Sequence, residues 1–166
     1  MSTDVDHRAL VKTWAAAVNA HDLDRLAMLF GDECLILDLP QLPLRTEWGA
    51  QGTHAPGLYL RGRERVERYY GEWFTAIPDF RVILAGLIAD GNQVAVEFTF
   101  QGTHEGPLLD LPARGGRVGV RAVAMLQLLN GKIHEQRLYY DMATLMCQVE
   151  DSESSLVADG TAGAVR

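Results

Sequence analysis

The chain has 166 residues, close to the roughly 150 residues of an average domain, so its length favours a single domain. Hydrophobic residues make up 48% and charged residues 22%, which are values of a folded globular protein and exclude a disordered or fibrous chain. The formal net charge is -7 and no Lys/Arg cluster offsets it, so a nucleic-acid partner is disfavoured.

The two cysteines and the N-terminal residues bear on the cellular compartment of the protein. Cys34 and Cys147 share no metal-binding spacing, and we expect both to be reduced packing residues, as in a cytosolic protein. The N-terminus lacks a basic region followed by an apolar stretch, and no apolar run reaches the ~18 residues of a membrane span. The sequence therefore predicts a cytoplasmic protein without a membrane partner.

Helical spacing of apolar residues predicts three helices in the first half of the chain. The first is expected to start near residues 2–4, where Ser, Thr and Asp can accept the N–H groups of a first turn. Asp22 can cap a short second helix, and a third follows Gly62 and ends at Pro78. The third helix carries one apolar face, which we interpret as plain core, and it consists of Val66, Tyr70, Trp73, Phe74 and Ile77.

The pattern changes to alternation in the second half of the chain. Residues 34–38 form a short apolar strand. Turns at Asp90-Gly91 and Asn130-Gly131 then separate four longer strands, which we expect to form an antiparallel meander at 80–89, 93–104, 117–129 and 132–141. Helices followed by antiparallel strands predict an α+β fold in which the three helices pack on the concave face of a curved sheet and enclose an apolar pocket.

The segment between the first strand and the third helix is long and rich in proline and glycine. Long loops in compact domains are usually functional, so we expect residues 40–60 to form a lid over the pocket mouth. Trp48 and Tyr59 would then touch a ligand. Residues 1–149 are expected to form the single domain, and residues 150–166 a flexible tail with little to bury.

Motifs of metal, nucleotide and serine-hydrolase chemistry are absent from the sequence. There is no P-loop, GxGxxG, HExxH or GxSxG, and the five histidines are scattered. The sequence therefore predicts neither a metal site nor a cofactor.

Four segments carry a family resemblance that covers most of residues 8–149. They read WAAAVNAHDLDRLAMLFGDECLILD, GRERVERYYGEWFTAIPDFRV, VEFTFQGTHEGPLLDLPARGGRV and GKIHEQRLYYDMATL. With HDLDRL, GTHxGPL and GKI(x)5YYD in this order, the chain resembles the SnoaL-like polyketide cyclase branch of the nuclear transport factor 2-like superfamily. That superfamily also contains ketosteroid isomerase and limonene epoxide hydrolase. The resemblance implies a conical α+β half-barrel with a deep apolar pocket, usually dimeric.

The resemblance also assigns positions to possible site residues. Asp38 matches the general base of ketosteroid isomerases, and Trp14 matches the position of their oxyanion-hole tyrosine. Ala124 stands where those isomerases have a second oxyanion acid and SnoaL-like cyclases have a histidine. Leu138 stands where the cyclases and the epoxide hydrolase have an aspartate. The usual forms of steroid isomerisation, aldol-type cyclisation and epoxide hydrolysis each lose a residue here.

The polar side chains expected on the pocket side are Asp38, His104, Gln136 and Tyr140. Strand parity puts His104 on the same face as Phe100 unless a bulge intervenes; capping a turn at the strand end is its alternative role. Asp38 can likewise begin a turn toward the following proline. Periodicity does not choose between the two faces of 132–141, whereas the resemblance selects the even-numbered residues.

We hypothesise a catalytic set of Asp38 as base, with His104 and Tyr140 donating to or polarising an oxygen that gains negative charge. The other residues expected to contact the ligand are Trp14, Trp48, Tyr59, Val96, Phe98, Phe100, Ala124, Gln136 and Leu138.

The expected partner is a small hydrophobic molecule, and two classes of function are compatible with it. The first is a cofactor-independent cyclase or isomerase for a polyketide-like or terpenoid-like substrate, including ring closure by epoxide opening. The second is a non-catalytic pocket that binds or carries an apolar metabolite, which Ala124 and Leu138 favour; a dimeric interaction module with a vestigial pocket is a further alternative. We also expect a homodimer built on the outer sheet face, where Val123, Met125 and Tyr139 sit among charged residues.

Overall fold

The computed structural model describes residues 6–41, 58–108 and 112–150 of the chain. Trp48 and most of the expected lid at 40–60 lie outside these ranges, as do residues 151–166 of the expected tail. Within the described ranges, no helix has both the length and the apolar character that a membrane span requires.

The first helix, α1, spans His7–Asn19 and is capped by Asp6, whose carboxylate accepts the backbone N–H of Ala9 at 3.1 Å. The expected start near residues 2–4 was therefore wrong. Asp6 lies three residues before the N–H that it binds, which is the spacing that an N-cap needs, and residues 2–4 offer side chains of the same capping type, so residue type alone does not locate the cap.

The next two helices agree with the sequence pattern. Helix α2, Leu23–Leu29, is capped by the Asp22 carboxylate, which accepts the Arg25 N–H at 2.9 Å. Helix α3, Glu64–Ala76, ends just before Pro78. The apolar residues predicted for the buried side of α3 are all buried.

In the part of the chain that the structure describes, six strands form one mixed sheet, in the order β2-β1-β6-β5-β4-β3. The predicted meander is confirmed, because β3 to β6 pair with their sequence neighbours in antiparallel fashion. Strand β1 is longer than predicted and pairs with β6 in parallel and with β2 antiparallel. The strands are β1 Phe30–Gln41, β2 Leu58–Arg61, β3 Arg81–Asp90, β4 Gln93–Thr103, β5 Arg117–Leu129 and β6 Lys132–Asp141.

Tight turns join β3 to β4 and β5 to β6. Asn130 and Gly131 both have positive φ, +51° and +73°, as a type I′ hairpin requires. The β3–β4 turn lies one residue later than predicted, because Asp90 already pairs with Gln93. The β4–β5 register runs without a break through Gly102, so no bulge alters the parity of β4 before His104.

The inner face of the sheet carries the core, and the predicted α+β architecture is confirmed. On β6 the even-numbered residues Gln136, Leu138 and Tyr140 are buried, as the resemblance implied. Helices α1 and α3 pack rings against this face: Trp14 lies edge-on to Phe98 with ring centres 5.3 Å apart. Among the described residues the sheet is open, because its edge strands β2 and β3 do not pair with each other.

A fourth helix, α4, spans Met142–Glu150 and was missed from the sequence. Its Gln148 carboxamide binds the backbone of Gly119, accepting the N–H at 2.7 Å and donating to the carbonyl at 3.1 Å. Thus α4 covers the part of β5 that extends beyond β6, and Glu150 is the end of a helix rather than the start of the tail. Cys147 is exposed on α4, so only Cys34, which is buried, is a packing residue.

Candidate functional site

Strand register places Asp38 at the end of a row of buried residues that crosses four strands. Asp38 pairs with Leu138 on β6, Leu138 with Ala124 on β5, and Ala124 with Val96 on β4. Residues opposite each other in neighbouring strands point to the same side of a sheet. All four side chains therefore lie on the inner face, with the carboxyl group as the polar end of an apolar row.

The Asp38 side chain is only 6% exposed and is held by helix α3. The Tyr69 hydroxyl donates a 2.7 Å hydrogen bond to Asp38 Oδ2. Oδ1 is buried and makes no hydrogen bond of standard geometry among the described residues, although the Tyr140 hydroxyl lies near enough to the carboxyl group to affect it. A buried carboxylate oxygen without a partner is costly in a folded protein.

Burial raises the pKa of Asp38 to about 6, while hydrogen bonding from Tyr69 and, second, from Tyr140 acts in the opposite direction. The carboxyl group is therefore mostly ionised at pH 7 and becomes protonated just below that pH. A carboxylate with a pKa close to neutrality is a competent base that also holds the proton it takes.

Two tyrosines surround the carboxyl group as hydroxyl donors. Burial raises the pKa of Tyr69 well above its ordinary value, and the negative charge of Asp38 adds to this effect. The same two causes, in the same order, raise the pKa of Tyr140. Both phenols stay protonated at neutral pH, so they can donate hydrogen bonds to an oxygen beside Asp38.

A chain of two hydrogen bonds lies next to the Tyr69–Asp38 bond. The Trp14 indole N–H donates to the Tyr70 hydroxyl at 2.8 Å, and that hydroxyl donates to Oε1 of Gln136 at 2.9 Å. Gln136 is 1% exposed. Adjacent residues of α3 thus reach two different polar groups of the inner sheet face: Tyr69 bonds the carboxyl group of Asp38, and Tyr70 bonds the amide of Gln136.

A narrow apolar cavity lies between α1, α3 and the sheet. The space between its walls amounts to about 380 Å³ including the part open to solvent, of which about 30 Å³ is wide enough for the centre of a water-sized sphere. Its walls are mainly aromatic, with Gln136 the one amide, and consist of Trp14, Val18, Tyr69, Tyr70, Trp73, Phe80, Val82, Phe98, Phe100, Gln136 and Leu138. Five of the residues predicted to contact a ligand line this cavity: Trp14, Phe98, Phe100, Gln136 and Leu138.

The structure does not bring His104 to Asp38. Tyr140 lies opposite Ala122, and Ala122 opposite Phe98, whereas His104 lies six residues farther along, roughly 20 Å at the rise of a strand. The His104 backbone instead pairs with Gly116 and Gly115, and its ring is fully buried there. Burial lowers its pKa, so the imidazole is neutral.

Tyr59 is also placed away from the cavity. It pairs with Leu37, the odd-numbered neighbour of Asp38, and is 64% exposed. Because successive side chains of β1 point to opposite sides, Tyr59 belongs to the outer face of the sheet. Trp48, the other aromatic residue of that segment, lies outside the described residues.

Sequence reasoning missed the two tyrosines that organise the site. Tyr69 was not singled out, although it lies three residues after Val66 and four before Trp73 and so falls on the same helical face. Tyr70 was interpreted as plain core, and it is buried, but its hydroxyl also joins Trp14 to Gln136. Among the described residues no group of three His, Cys, Asp or Glu side chains is arranged to hold a metal ion.

Comparison with known structures supports the fold. A protein from Jannaschia sp. CCS1 described as a SnoaL-like polyketide cyclase is 18% identical, with a TM-score of 0.73, and the match covers 90% of this chain and 96% of that one. TsrD from Streptomyces laurentii is 21% identical, with a TM-score of 0.69 and coverage of 90% and 98%. An LEH-like epoxide hydrolase from M. tuberculosis is 18% identical, with a TM-score of 0.63 and coverage of 92% and 95%.

At these identities the structural matches show the fold alone. A search of curated proteins finds no match to this chain. The model of the SnoaL-like polyketide cyclase family, in contrast, matches residues 8–149, which is most of the chain. The protein therefore belongs to the SnoaL-like polyketide cyclase family.

Proposed function

We propose that this protein is a cofactor-independent cyclase or isomerase that acts on a small hydrophobic, polyketide-like or terpenoid-like substrate, with Asp38 as general base. The observation that carries the proposal is the buried Asp38 carboxyl group, bonded to Tyr69 and with a pKa raised by burial to about 6. Family membership supports cyclase or isomerase chemistry. The apolar walls of the cavity suit a hydrophobic substrate.

The proposed step is a proton transfer from carbon. The Asp38 carboxylate removes a proton from the carbon next to a carbonyl group, the C–H electron pair moves into the carbonyl, and an enolate forms. If the substrate is a β,γ-unsaturated ketone, the enolate is a dienolate, and return of the proton from Asp38 to its γ-carbon isomerises the substrate. If the enolate carbon instead attacks a second carbonyl, a ring closes and the alkoxide formed there takes the proton back from Asp38. The Tyr140 hydroxyl, which lies near Asp38, donates a hydrogen bond to the substrate oxygen that gains negative charge. His104 is no longer part of the proposed catalytic set.

Exchange of α-protons tests this proposal without knowledge of the natural substrate. Wild-type protein and cyclohexanone are incubated in D₂O at pD 7.5, and deuterium uptake at the α-carbons is followed by NMR. We expect Asp38→Asn to lower the catalysed rate by roughly 10²–10⁴-fold, the range for loss of a general base. The control Glu97→Gln neutralises an exposed carboxylate on β4 and should leave the rate unchanged. Full exchange by Asp38→Asn would disprove the assignment.

A binding function without catalysis is the second candidate, and one observation favours it. The residues beside Asp38 in its row, Leu138 and Ala124, are apolar and cannot transfer protons. In that case the wild-type protein binds the ketone but catalyses no exchange above the background of buffer. The same experiment therefore separates the two candidates.

A further inference from the structure

We infer that the Trp14–Tyr70–Gln136 chain fixes the Gln136 amide with its N–H₂ group as the donor for a ligand, so that the cavity recognises a hydrogen-bond acceptor such as a carbonyl or enolate oxygen. The polarity of the chain follows from its first member. An indole N–H can only donate, so the Tyr70 oxygen must accept from Trp14, as the 2.8 Å bond shows.

The second link of the chain transmits this polarity to Gln136. With its oxygen engaged by Trp14, the Tyr70 hydroxyl directs its own proton to the amide oxygen of Gln136, at 2.9 Å. Burial raises the pKa of Tyr70 to about 12, so the proton is present at neutral pH. The oxygen end of the amide is therefore engaged, and the end left for a ligand carries two N–H donors.

Gln136 is the one amide among the residues that line the cavity, and it is 1% exposed. In the proposed arrangement, a ligand oxygen that enters this space accepts a hydrogen bond from the Gln136 N–H₂ group. A ligand that offers only a hydrogen-bond donor would leave both its own polar group and the N–H₂ group unpaired, which disfavours its binding. Ketones and enolates present acceptors and no donor, and they match the site.

Gln136 and Asp38 are close enough to act on one substrate. Gln136 pairs with Ile36, two residues before Asp38 on the neighbouring strand, which corresponds to about 8 Å between the Cα atoms of Gln136 and Asp38. Asp38 is not among the residues that line the cavity, but its register partner Leu138 and its hydrogen-bond partner Tyr69 are. In the proposed arrangement, a ketone bonded to Gln136 therefore lies beside the residues that contact the carboxyl group. Only this last step, in which the amide stabilises an enolate, rests on the proposed function; acceptor recognition does not.

Paired probes test the inference by binding alone. Cyclohexanone and methylenecyclohexane have nearly the same shape, but the second has CH₂ in place of the oxygen and cannot accept a hydrogen bond. Each is titrated into ¹⁵N-labelled protein while the side-chain N–H₂ signals of Gln136, identified by their loss in Gln136→Met, are followed. We expect cyclohexanone to shift these signals downfield, and methylenecyclohexane to leave them nearly unchanged.

The variants then separate polarity from shape. Gln136→Met should weaken cyclohexanone binding roughly 2–10-fold, the value of one hydrogen bond, and leave methylenecyclohexane binding unchanged. Tyr70→Phe should weaken cyclohexanone binding selectively, although Gln136 is still present, because the amide is no longer oriented. The control Trp73→Phe alters a cavity wall outside the chain and should affect both probes equally.

Three results would overturn the inference: equal loss of both probes in Gln136→Met, no selective loss in Tyr70→Phe, or no binding of cyclohexanone to the wild type. Failure of the proposed function is distinguishable from these results. If Asp38→Asn catalyses exchange as well as the wild type while Gln136→Met binds the ketone more weakly, the base assignment is wrong and acceptor recognition stands.

Discussion

The Tyr69 hydroxyl donates a 2.7 Å hydrogen bond to Oδ2 of Asp38, and this bond connects helix α3 to strand β1 inside the core. Two opposing effects act on the carboxyl group. Burial raises the pKa of Asp38, while the hydrogen bond from Tyr69 stabilises the ionised form and lowers the pKa. The charge that the proposed base needs at neutral pH therefore depends on Tyr69.

The first prediction is the pH dependence of α-proton exchange. Because only the carboxylate form of Asp38 accepts a proton, the catalysed rate should increase with pH and reach half of its plateau at about 6, the pKa of this group. The measurement is the rate of cyclohexanone exchange between pH 4.5 and 8.5, corrected for buffer catalysis. A midpoint near 4, the ordinary value for an exposed aspartate, would contradict it.

The second prediction concerns Tyr69→Phe. The substitution removes the strongest interaction that lowers the pKa of Asp38, so the midpoint of the same pH profile should move upward by roughly one unit, the value of a hydrogen bond to a charged group. Tyr139→Phe is the matched control, since Tyr139 lies on the outer face of β6. An unchanged midpoint in Tyr69→Phe would show that the bond does not tune the base.

The third prediction is that Asp38→Asn stabilises the protein at neutral pH. A raised pKa means that the folded state binds the proton more tightly than the unfolded state, so this contribution to stability is present below pH 4 and lost as the pH rises through about 6. Above pH 6 the buried charge opposes folding by about 2–3 kcal/mol. Asparagine keeps an acceptor for Tyr69 and carries no charge.

Urea unfolding of wild type and Asp38→Asn at pH 4 and pH 7.5 checks this prediction, and the difference in free energy of unfolding should be larger at pH 7.5. Asp79→Asn is a contrasting control. A hydrogen bond from the Thr103 backbone N–H lowers the pKa of Asp79, so its ionised form favours folding and the same substitution should destabilise the protein at pH 7.5. Equal effects of the two variants would contradict the assignment of Asp38 as a strained, functional charge.

The sequence predicted the framework of the site because its signals are local. Alternation identified the inner face of β4, and Asp22 and Pro78 marked helix ends by rules that act over one turn. Asp38 was identified by resemblance, and the structure places its carboxyl group on the inner face as part of a buried row.

Long-range relations were not accessible in this way. The Tyr69 and Asp38 side chains are 31 residues apart in the chain, and no periodicity links a helix to a particular strand position. His104 shares the parity of Phe98 but not its position along the strand, since alternation reports the face and not the distance. Helix α4 had a local signal that was overlooked: Asp141 accepts the N–H of Ala143 at 2.9 Å and acts as a cap.

The fourth prediction concerns Asn19, which joins α1 to the edge strand β3. Its amide accepts the N–H of Val82 at 2.7 Å and donates to the Val82 carbonyl at 3.1 Å, as a neighbouring strand would. Asn19→Ala should lower the free energy of unfolding by about 1–3 kcal/mol, because both backbone groups lose their partner. Asn92→Ala, in the β3–β4 turn, is the control and should lower the free energy of unfolding less. Equal losses of stability in the two variants would show that the Asn19–Val82 hydrogen bonds do not account for the effect.

The last prediction is that the outer sheet face mediates a homodimer. Leu39, Tyr139 and Val123 are neighbours in register across β1, β6 and β5, and each is at most partly buried. An apolar row of this kind on one face of a sheet is typical of a surface that another molecule covers. Light scattering at micromolar concentration should give twice the mass of the chain, and Val123→Glu should reduce it to the monomer mass, because a carboxylate at the β5 end of the row would be buried in the interface without a partner. Met28→Glu is the matched control: Met28 is 64% exposed, more than the 37% of Val123, but it lies on α2 away from this face, so the dimer should persist. A monomeric wild type would contradict the prediction, and dissociation of both variants would show that added negative charge, rather than this face, controls assembly.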